Sequence, residues 1–388
     1  MKRDSRLIEA GRRKALTQGI VNPPVWRAST CLFDSLSDLR KGIRSPDDGL
    51  FYGRRGTPTH WALREAMTEL EGGEGTWLYP SGMAAIAGTI LALARNGDHI
   101  LISDSVYEPT RFLATGLLRD FGIACDFYDP LIGAGIEALF CDNTRLVMVE
   151  SPGSLTLEVQ DLPAIAKVAH ARNAFVAIDN TWATPLHLKA LALGADVSIH
   201  AATKYIVGHS DVMLGTATAN ARAWPLLHRA ATATGMTASP DDVWLALRGL
   251  RTLAVRLRQH EASAMKIARW LSAHDLVARV HFPALPEDPG HALWQRDFEG
   301  ACGLFSFSLA RGRHEDLDPM VDQMSLFRIG FSWGGYESLI LPTDPARVRS
   351  ATRWDMPGPL IRLHIGLEDP DDLISDLEAG LERLRAVL

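Results

Sequence analysis

The chain has 388 residues, 47% of them hydrophobic and 22% charged, with a formal net charge of −6. That composition suits a folded globular chain of two to three domains, and its charge gives a nucleic-acid partner no electrostatic footing. Residues Met1-Lys2-Arg3-Asp4-Ser5-Arg6-Leu7 have no apolar stretch behind their charges, unlike a secretory signal, and the longest nearly apolar run, Met83–Ala94, is too short to span a bilayer. Cys31, Cys125, Cys141 and Cys302 are scattered with no CxxC; the expectation is no disulfide framework, no zinc site and a cytoplasmic location.

Residues 1–55 read as polar and irregular, with Pro23-Pro24 and Ser45-Pro46-Asp47-Asp48-Gly49. They lack the apolar content for a core of their own, so this arm is expected to wrap another part of the molecule or a neighbouring subunit. From His60 the pattern turns helical: Leu63, Ala66, Met67 and Leu70 share a face, and Gly72-Gly73 ends it. Tyr79-Pro80-Ser81-Gly82-Met83 then opens an alanine- and leucine-rich helix to Ala94. Ser81 is a plausible cap, and the exposed N–H groups at such a start suit a phosphate.

Apolar strand-like runs follow at His99–Ser103, Leu146–Glu150, Phe175–Asp179 and Val197–Ile199, with helices over Asp161–Arg172 and Leu186–Leu193 between them. Continuously apolar strands alternating with helices predict a mainly parallel sheet flanked by helices, with ligands at the carboxyl ends of the strands. Near Thr237–Asp242 the character changes. A long helical stretch carries Val243, Leu247, Leu250, Ala254 and Leu257; strands are expected at Gly303–Leu309 and Leu360–Gly366, and an amphipathic helix from Asp371 to the end. The expected organisation is an arm over 1–55, a ligand-binding domain over 56–242 and a smaller C-terminal α/β domain over 243–388.

Several motifs fail their context. Gly133-Ala134-Gly135-Ile136-Glu137-Ala138 fits a dinucleotide pattern but follows Asp129-Pro130 rather than a strand. Ser81 is not in a GxSxG elbow, and the thirteen histidines contain no HExxH. His200 and His209 lack ligand spacing, so solvated or hydrogen-bonded imidazoles are expected and no metal.

Chemistry concentrates in Val197–Asp211, VSIHAATKYIVGHSD. Lys204 directly follows a buried strand, where its charge is costly unless it is paired or reacts. A Schiff-base lysine needs such a place, because desolvation lowers its pKa and frees the amine to attack a carbonyl. Asp179 ends the neighbouring apolar run and can face the same crevice, and pyridoxal phosphate needs both a lysine and an acid for its pyridinium nitrogen.

The chain resembles the pyridoxal-phosphate enzymes of cysteine and methionine metabolism from about Thr17 to its end. The motifs agree in order: YGRRGTPTH (Tyr52–His60), YPSGMAA (Tyr79–Ala85), YEP (Tyr107–Pro109), DNTWATP (Asp179–Pro185), ATKYIVGHSD (Ala202–Asp211), FSWGGYESLI (Phe331–Ile340) and LIRLHIGLED (Leu360–Asp369). The resemblance implies the PLP-transferase fold type I. It makes Lys204 the Schiff-base residue and Asp179 the partner of the ring nitrogen, and stacks Tyr107 on the ring. Gly82, Met83 and Thr203 would hold the phosphate, joined by Tyr52 and Arg54 from a neighbouring subunit of a homotetramer. Arg362 would clamp the substrate carboxylate, beside the pocket residues Ser332, Trp333 and Phe331. Lys204, Tyr107 and Tyr52 are the catalytic side chains on this reading.

Two departures bear on the reaction. Ser154 stands where many relatives have Asn near the cofactor. Phe331 stands where γ-synthases and γ-lyases of the family often carry a Glu that meets the distal substrate amine. An apolar residue there favours β-chemistry: elimination from L-cystathionine, and from other cysteine S-conjugates, giving homocysteine, pyruvate and ammonia in methionine biosynthesis. The alternatives are a γ-acting relative and a cofactor-binding regulator with residual lyase activity. A small amino-acid substrate is expected, with no nucleic acid and no membrane.

Overall fold

The computed structural model describes residues 1–388. Twelve strands form two sheets. The first seven are β1 (Gly75–Tyr79), β2 (His99–Ser103), β3 (Ala124–Tyr128), β4 (Thr144–Glu150), β5 (Phe175–Asp179), β6 (Val197–Ala201) and β7 (Gly215–Ala219). They lie in the order β1-β7-β6-β5-β4-β2-β3. β7 runs antiparallel to both neighbours, β1 and β6, while the pairs from β6 to β3 are all parallel. The sheet is therefore mainly parallel, as the apolar runs require.

Its two faces are covered by different helices. Ile100, Ile102, Leu146 and Met148 pack with Ile86, Ile90 and Leu227, from helices Gly82–Leu93 and Trp224–Ala233. The alternate residues Leu101, Val147, Val149, Val176 and Ile178 pack with Leu162, Ile165 and Ala169 of helix Leu162–Ala171, and with Leu63 and Met67 of helix Pro58–Glu71. A two-residue side-chain period thus feeds two apolar layers from one run.

The second sheet holds β8 (Val277–His281), β9 (Leu304–Leu309), β10 (Arg328–Ile329), β11 (Leu339–Thr343) and β12 (Leu360–His364), ordered β10-β11-β12-β9-β8. Only β10–β11 is parallel. The terminal helix Pro370–Arg385 buries Leu373, Leu377, Leu381 and Leu384. The stretch after Asp242 is two helices, Pro240–Arg251 and Leu253–Ser272, parted at Thr252; its five expected core positions are all buried. No helix is long and apolar enough to cross a membrane, no group of side chains could hold a metal ion, and all four cysteines are free.

Some expectations need correcting. The helix over Leu186–Leu193 is a single turn, Thr184–His187. Leu188 is extended, and its carbonyl accepts from the buried Asn180 side chain at 3.1 Å, which takes the chain out of the helix. β1, β3, β7, β8, β10 and β11 lie outside the predicted strands. The first 55 residues are less irregular than expected, with helices Arg3–Glu9, Lys14–Thr17 and Leu36–Arg44. The first two dock on the chain's own core through Leu7, Ala10 and Leu16. Gly133–Leu139 is a 3-10 turn, not the start of a nucleotide-binding helix.

Candidate active site

Because β2, β4, β5 and β6 are parallel, their carboxyl ends share one edge. β4 ends there on Glu150, β5 on Asp179, and β6 runs through Ala201 into Lys204. The helix Gly82–Leu93 starts at the same edge. Ser81 caps it, its Oγ accepting from the Ala84 N–H at 3.1 Å, which leaves the first amides without intrahelical partners. Residue 82 has to be glycine for this approach: a Cβ there would come within 2.5 Å of the Ala201 Cβ.

A cleft of about 320 Å³ joins these ends to the second sheet. Ten of the expected site residues line it: Gly82, Met83, Tyr107, Asp179, Thr203, Lys204, Phe331, Ser332, Trp333 and Arg362. Ser154 lines it too, and so do Glu150 and Met213, which the sequence reading did not single out. Glu150 had left the same trace as Asp179, a carboxylate closing an apolar run. Tyr52 and Arg54 are not brought to it. Tyr52 pairs with Thr30 in an isolated bridge, and the exposed Arg54 donates to the Thr232 carbonyl at 2.9 Å.

Lys204 Nζ donates to Ser332 Oγ at 2.7 Å and lies 5.4 Å from the Trp333 ring centroid. Desolvation lowers the amine's pKa to about 8; the Arg362 charge pushes the same way and Asp179 opposes. No carboxylate pairs with it directly. Asp179 Oδ1 accepts from both the backbone N–H (3.0 Å) and the hydroxyl of Thr181. Thr181 Oγ1 also accepts from the Ala201 N–H at 2.8 Å, tying the ends of β5 and β6 together. Burial raises the Asp179 pKa, while the Thr181 bonds and then His200 and Lys204 hold it down.

Across the cleft, Arg362 stands in the middle of β12 with no carboxylate partner. Its Nη2 donates to the Phe331 carbonyl at 2.9 Å, and burial lowers its pKa to about 10, which leaves it charged. Two residues on, His364 Nε2 lies 3.1 Å from both the Gly334 nitrogen and the Gly335 oxygen. One face of β12 therefore holds the whole 331–335 loop. Gly334 has φ +88°, and a Cβ on it would come 2.8 Å from the Lys204 carbonyl carbon, so the loop seats directly on the lysine's backbone. Trp333 packs at a tilt against the buried Tyr205, with ring centroids 5.5 Å apart. Phe331 is 87% exposed at the mouth. His200 is buried against Glu71 and His209 Nδ1 lies 2.7 Å from the Val207 carbonyl, so both are hydrogen-bonded imidazoles.

This donor set fits pyridoxal phosphate: a desolvated amine without a carboxylate partner, a half-buried carboxylate one strand away, open amides at a helix start, and a guanidinium without a carboxylate partner opposite. The comparisons agree. The chain is 50% identical over 390 residues to "Cystathionine beta-lyase MetC" of Escherichia coli, covering 99% of each chain. It is 49% identical to a cystathionine beta-lyase of Salmonella typhimurium, covering 98% of each. The crystal structure of cystathionine gamma synthase from Xanthomonas oryzae pv. oryzae superposes with a TM-score of 0.91 at 34% identity, over 100% of both chains. The family described as Cys/Met metabolism PLP-dependent enzyme matches residues 4–382, and the chain belongs to it.

Proposed function

We propose that the protein is a carbon–sulfur lyase that converts L-cystathionine and water to homocysteine, pyruvate and ammonia in methionine biosynthesis, with other cysteine S-conjugates as further substrates. The observation that carries the reading is a cleft in which a desolvated lysine and an unpaired arginine face each other, with a phenyl ring rather than a carboxylate at its mouth. The β-lyase relatives, 49–50% identical over nearly the whole chain, support the same choice.

When bound, pyridoxal phosphate supplies the electron sink that stabilises the charge left on Cα after its proton departs. Lys204 is the residue that would bond it, Asp179 would hold its ring nitrogen, and Gly82, Met83 and Thr203 would hold its phosphate. Arg362 fixes the substrate α-carboxylate by a charged, fork-shaped contact. Tyr107 lines one side of the cleft, where it would stack on the cofactor ring. Lys204 would be the base that takes the Cα proton; its lowered pKa suits a base near neutral pH. The Cβ–S bond then breaks, and sulfur leaves with the bonding pair and gains a proton as the homocysteine thiol. Water completes the release of ammonia and pyruvate.

Substrate register separates β- from γ-chemistry. With the α-carboxylate on Arg362, the far end of cystathionine decides which carbon next to sulfur lies at Lys204. A carboxylate at 331 would contribute roughly 1.5–3 kcal/mol toward a distal ammonium. The exposed ring of Phe331 offers about 0.5–1 kcal/mol. The difference is enough to shift the preferred register by about tenfold. With L-cystathionine as sole substrate, keto-acid analysis should find pyruvate in large excess over 2-oxobutyrate. Predominant 2-oxobutyrate would make the protein a γ-lyase, and no keto acid from the holoenzyme would favour a regulator.

The reading includes a homotetramer in the cytoplasm, in which Tyr52 and Arg54 of one copy complete the phosphate site of another. It assigns 1–55 to an arm, 56–242 to the cofactor domain and 243–388 to a C-terminal domain that presents Arg362.

A further inference from the structure

Two carboxylates end neighbouring strands in this cleft. Glu150 of β4 stands directly opposite Asp179 of β5 in the parallel register. Adjacent strands lie roughly 4.8 Å apart, so two full negative charges here would repel in a partly dry cavity. Neither carboxylate has an ion-pair partner. The cations in reach are Lys204, beyond β6, and Arg362 of β12, whose Nη2 is turned to the loop carbonyls. The remaining titratable groups facing the pair are the Tyr107 phenol from the helix Glu108–Leu113 and His200 of β6.

The two are not equivalent. Asp179 takes two hydrogen bonds from Thr181, which favour its charged form. Glu150 takes a single one: its Oε2 accepts from the Tyr107 backbone N–H at 2.7 Å. Tyr107 is the residue that caps the helix Glu108–Leu113 and stands over the cleft. We propose that Glu150 is a positioning residue that serves as an uncharged carboxylic acid, anchoring the Tyr107 backbone while leaving Asp179 to carry the negative charge of the pair. Both roles follow from one placement. The carboxyl oxygen holds the amide that sets the aromatic ring, and its proton keeps Asp179's field undiluted for the group that Asp179 faces. Burial, and then the Asp179 charge, raise the Glu150 pKa well above the ordinary carboxylate value, in agreement.

The inference rests on the cofactor reading of the cleft, and its test is arranged so that the two fail separately. Three holoenzymes are compared: the parent, Glu150→Ala and Glu150→Gln. The glutamine keeps a neutral acceptor and the alanine keeps none. Amide exchange of the peptide containing Tyr107, followed without substrate, should accelerate by about tenfold in Glu150→Ala and return toward the parent in Glu150→Gln. Infrared difference spectra at neutral pH should show a protonated-carboxyl band in the parent that Glu150→Gln lacks. In turnover, kcat/KM should fall by roughly tenfold or more in Glu150→Ala, and the glutamine should rescue most of that loss. If the parent lacks the band, or Glu150→Gln fails as deeply as Glu150→Ala, the carboxylate charge is what matters and the proposal is overturned. Unchanged exchange in a folded Glu150→Ala overturns the anchoring. Should Glu150→Ala not fold, the glutamine and the infrared band still decide. The exchange and infrared readouts need no substrate, so a wrong lyase assignment would void the turnover comparison and leave these two standing.

Discussion

Lys204, Asp179 and Arg362 are visible in the sequence for one reason: each puts a charge where an apolar run says the chain is buried. Their placement at the ends of β6 and β5 and in the middle of β12 follows from those runs. Glu150 left the same trace and was passed over. Thr181 and His364 left none, because their work depends on contacts made across the fold. The amine of Lys204 gives a direct check. Its pKa is lowered from 10.5 to about 8, by desolvation first. Only the neutral amine attacks a carbonyl, so the rate at which cofactor-free protein takes up pyridoxal phosphate should rise through pH 8 and then level off. A rate still climbing toward 10.5 would mean an ordinary, solvated lysine. The same shift has a signed effect on stability. Between about 8 and 10.5 the unfolded chain holds a proton that the folded one has released, so this group stabilises the cofactor-free fold as pH rises across that window. Borohydride reduction of the holoenzyme should fix the cofactor on Lys204 and on no other lysine.

At the scale of elements, long apolar strands and the faced helices were legible, and small or alternating strands were not. β7 is Gly-Thr-Ala-Thr-Ala, with no bulky apolar residue to announce it. It is built small because the start of helix Gly82–Leu93 lies on it: a Cβ at Gly215 would reach 2.1 Å from the Ser81 carbonyl oxygen. β3 alternates exposed residues at the sheet edge, so it lacks a continuous run. A second connection that the sequence hides is the clamp at Asp104, just past β2. Its carboxylate accepts from the N–H groups of Ser350, Ala351 and Thr352 (2.8–3.3 Å), from the Thr352 hydroxyl at 2.7 Å, and from Arg111. It thereby ties the β11–β12 connection to the helix that begins beside Tyr107. Desolvation alone would raise its pKa, but the Ser350, Thr352 and Arg111 bonds outweigh it and the pKa is lowered. Breaking one partner out of such a buried pair costs about 3–5 kcal/mol. Asp104→Asn should therefore lower the urea midpoint sharply at pH 7. A depressed carboxylate gives stability that is present above the unfolded value of 3.8 and lost as pH falls through the folded one. The gap between parent and variant should close below that pH. A gap that persists unchanged into acid would show that the clamp works by shape and not by charge.

The whole molecule holds one segment that its own chain does not account for. Arg3–Glu9 and Lys14–Thr17 dock on helix Pro58–Glu71 through the buried Leu7 and Leu16, and Pro23–Trp26 is pinned by Trp244, Thr57 and Thr59. Beyond it, Leu32, Leu36 and Ile43 are exposed, at 93%, 68% and 60%. Large apolar side chains left in water along one segment mark a surface that something else covers. This segment leads into Tyr52 and Arg54, the two expected phosphate ligands that stay away from the cleft of their own chain. A copy of the same chain accounts for both facts at once: it would cover the apolar arm and receive the two side chains. In an assembly whose sites are shared in this way, each cleft takes Lys204 from one chain and Arg54 from another. Arg54→Ala and Lys204→Ala should each be inactive alone. Mixed, a hybrid pair concentrates both defects in one cleft and leaves the other intact. With random exchange of equal amounts, roughly a quarter of the clefts should be whole. Activity is measured against pyruvate after subunit exchange, with exchange itself followed by mass spectrometry of differently tagged copies. Recovery toward that level means that Arg54 acts in the cleft of a neighbour. Complete exchange with no recovery would put Arg54 back in its own chain, held by the Thr232 carbonyl, and would leave the apolar arm a docking surface that takes no part in the chemistry.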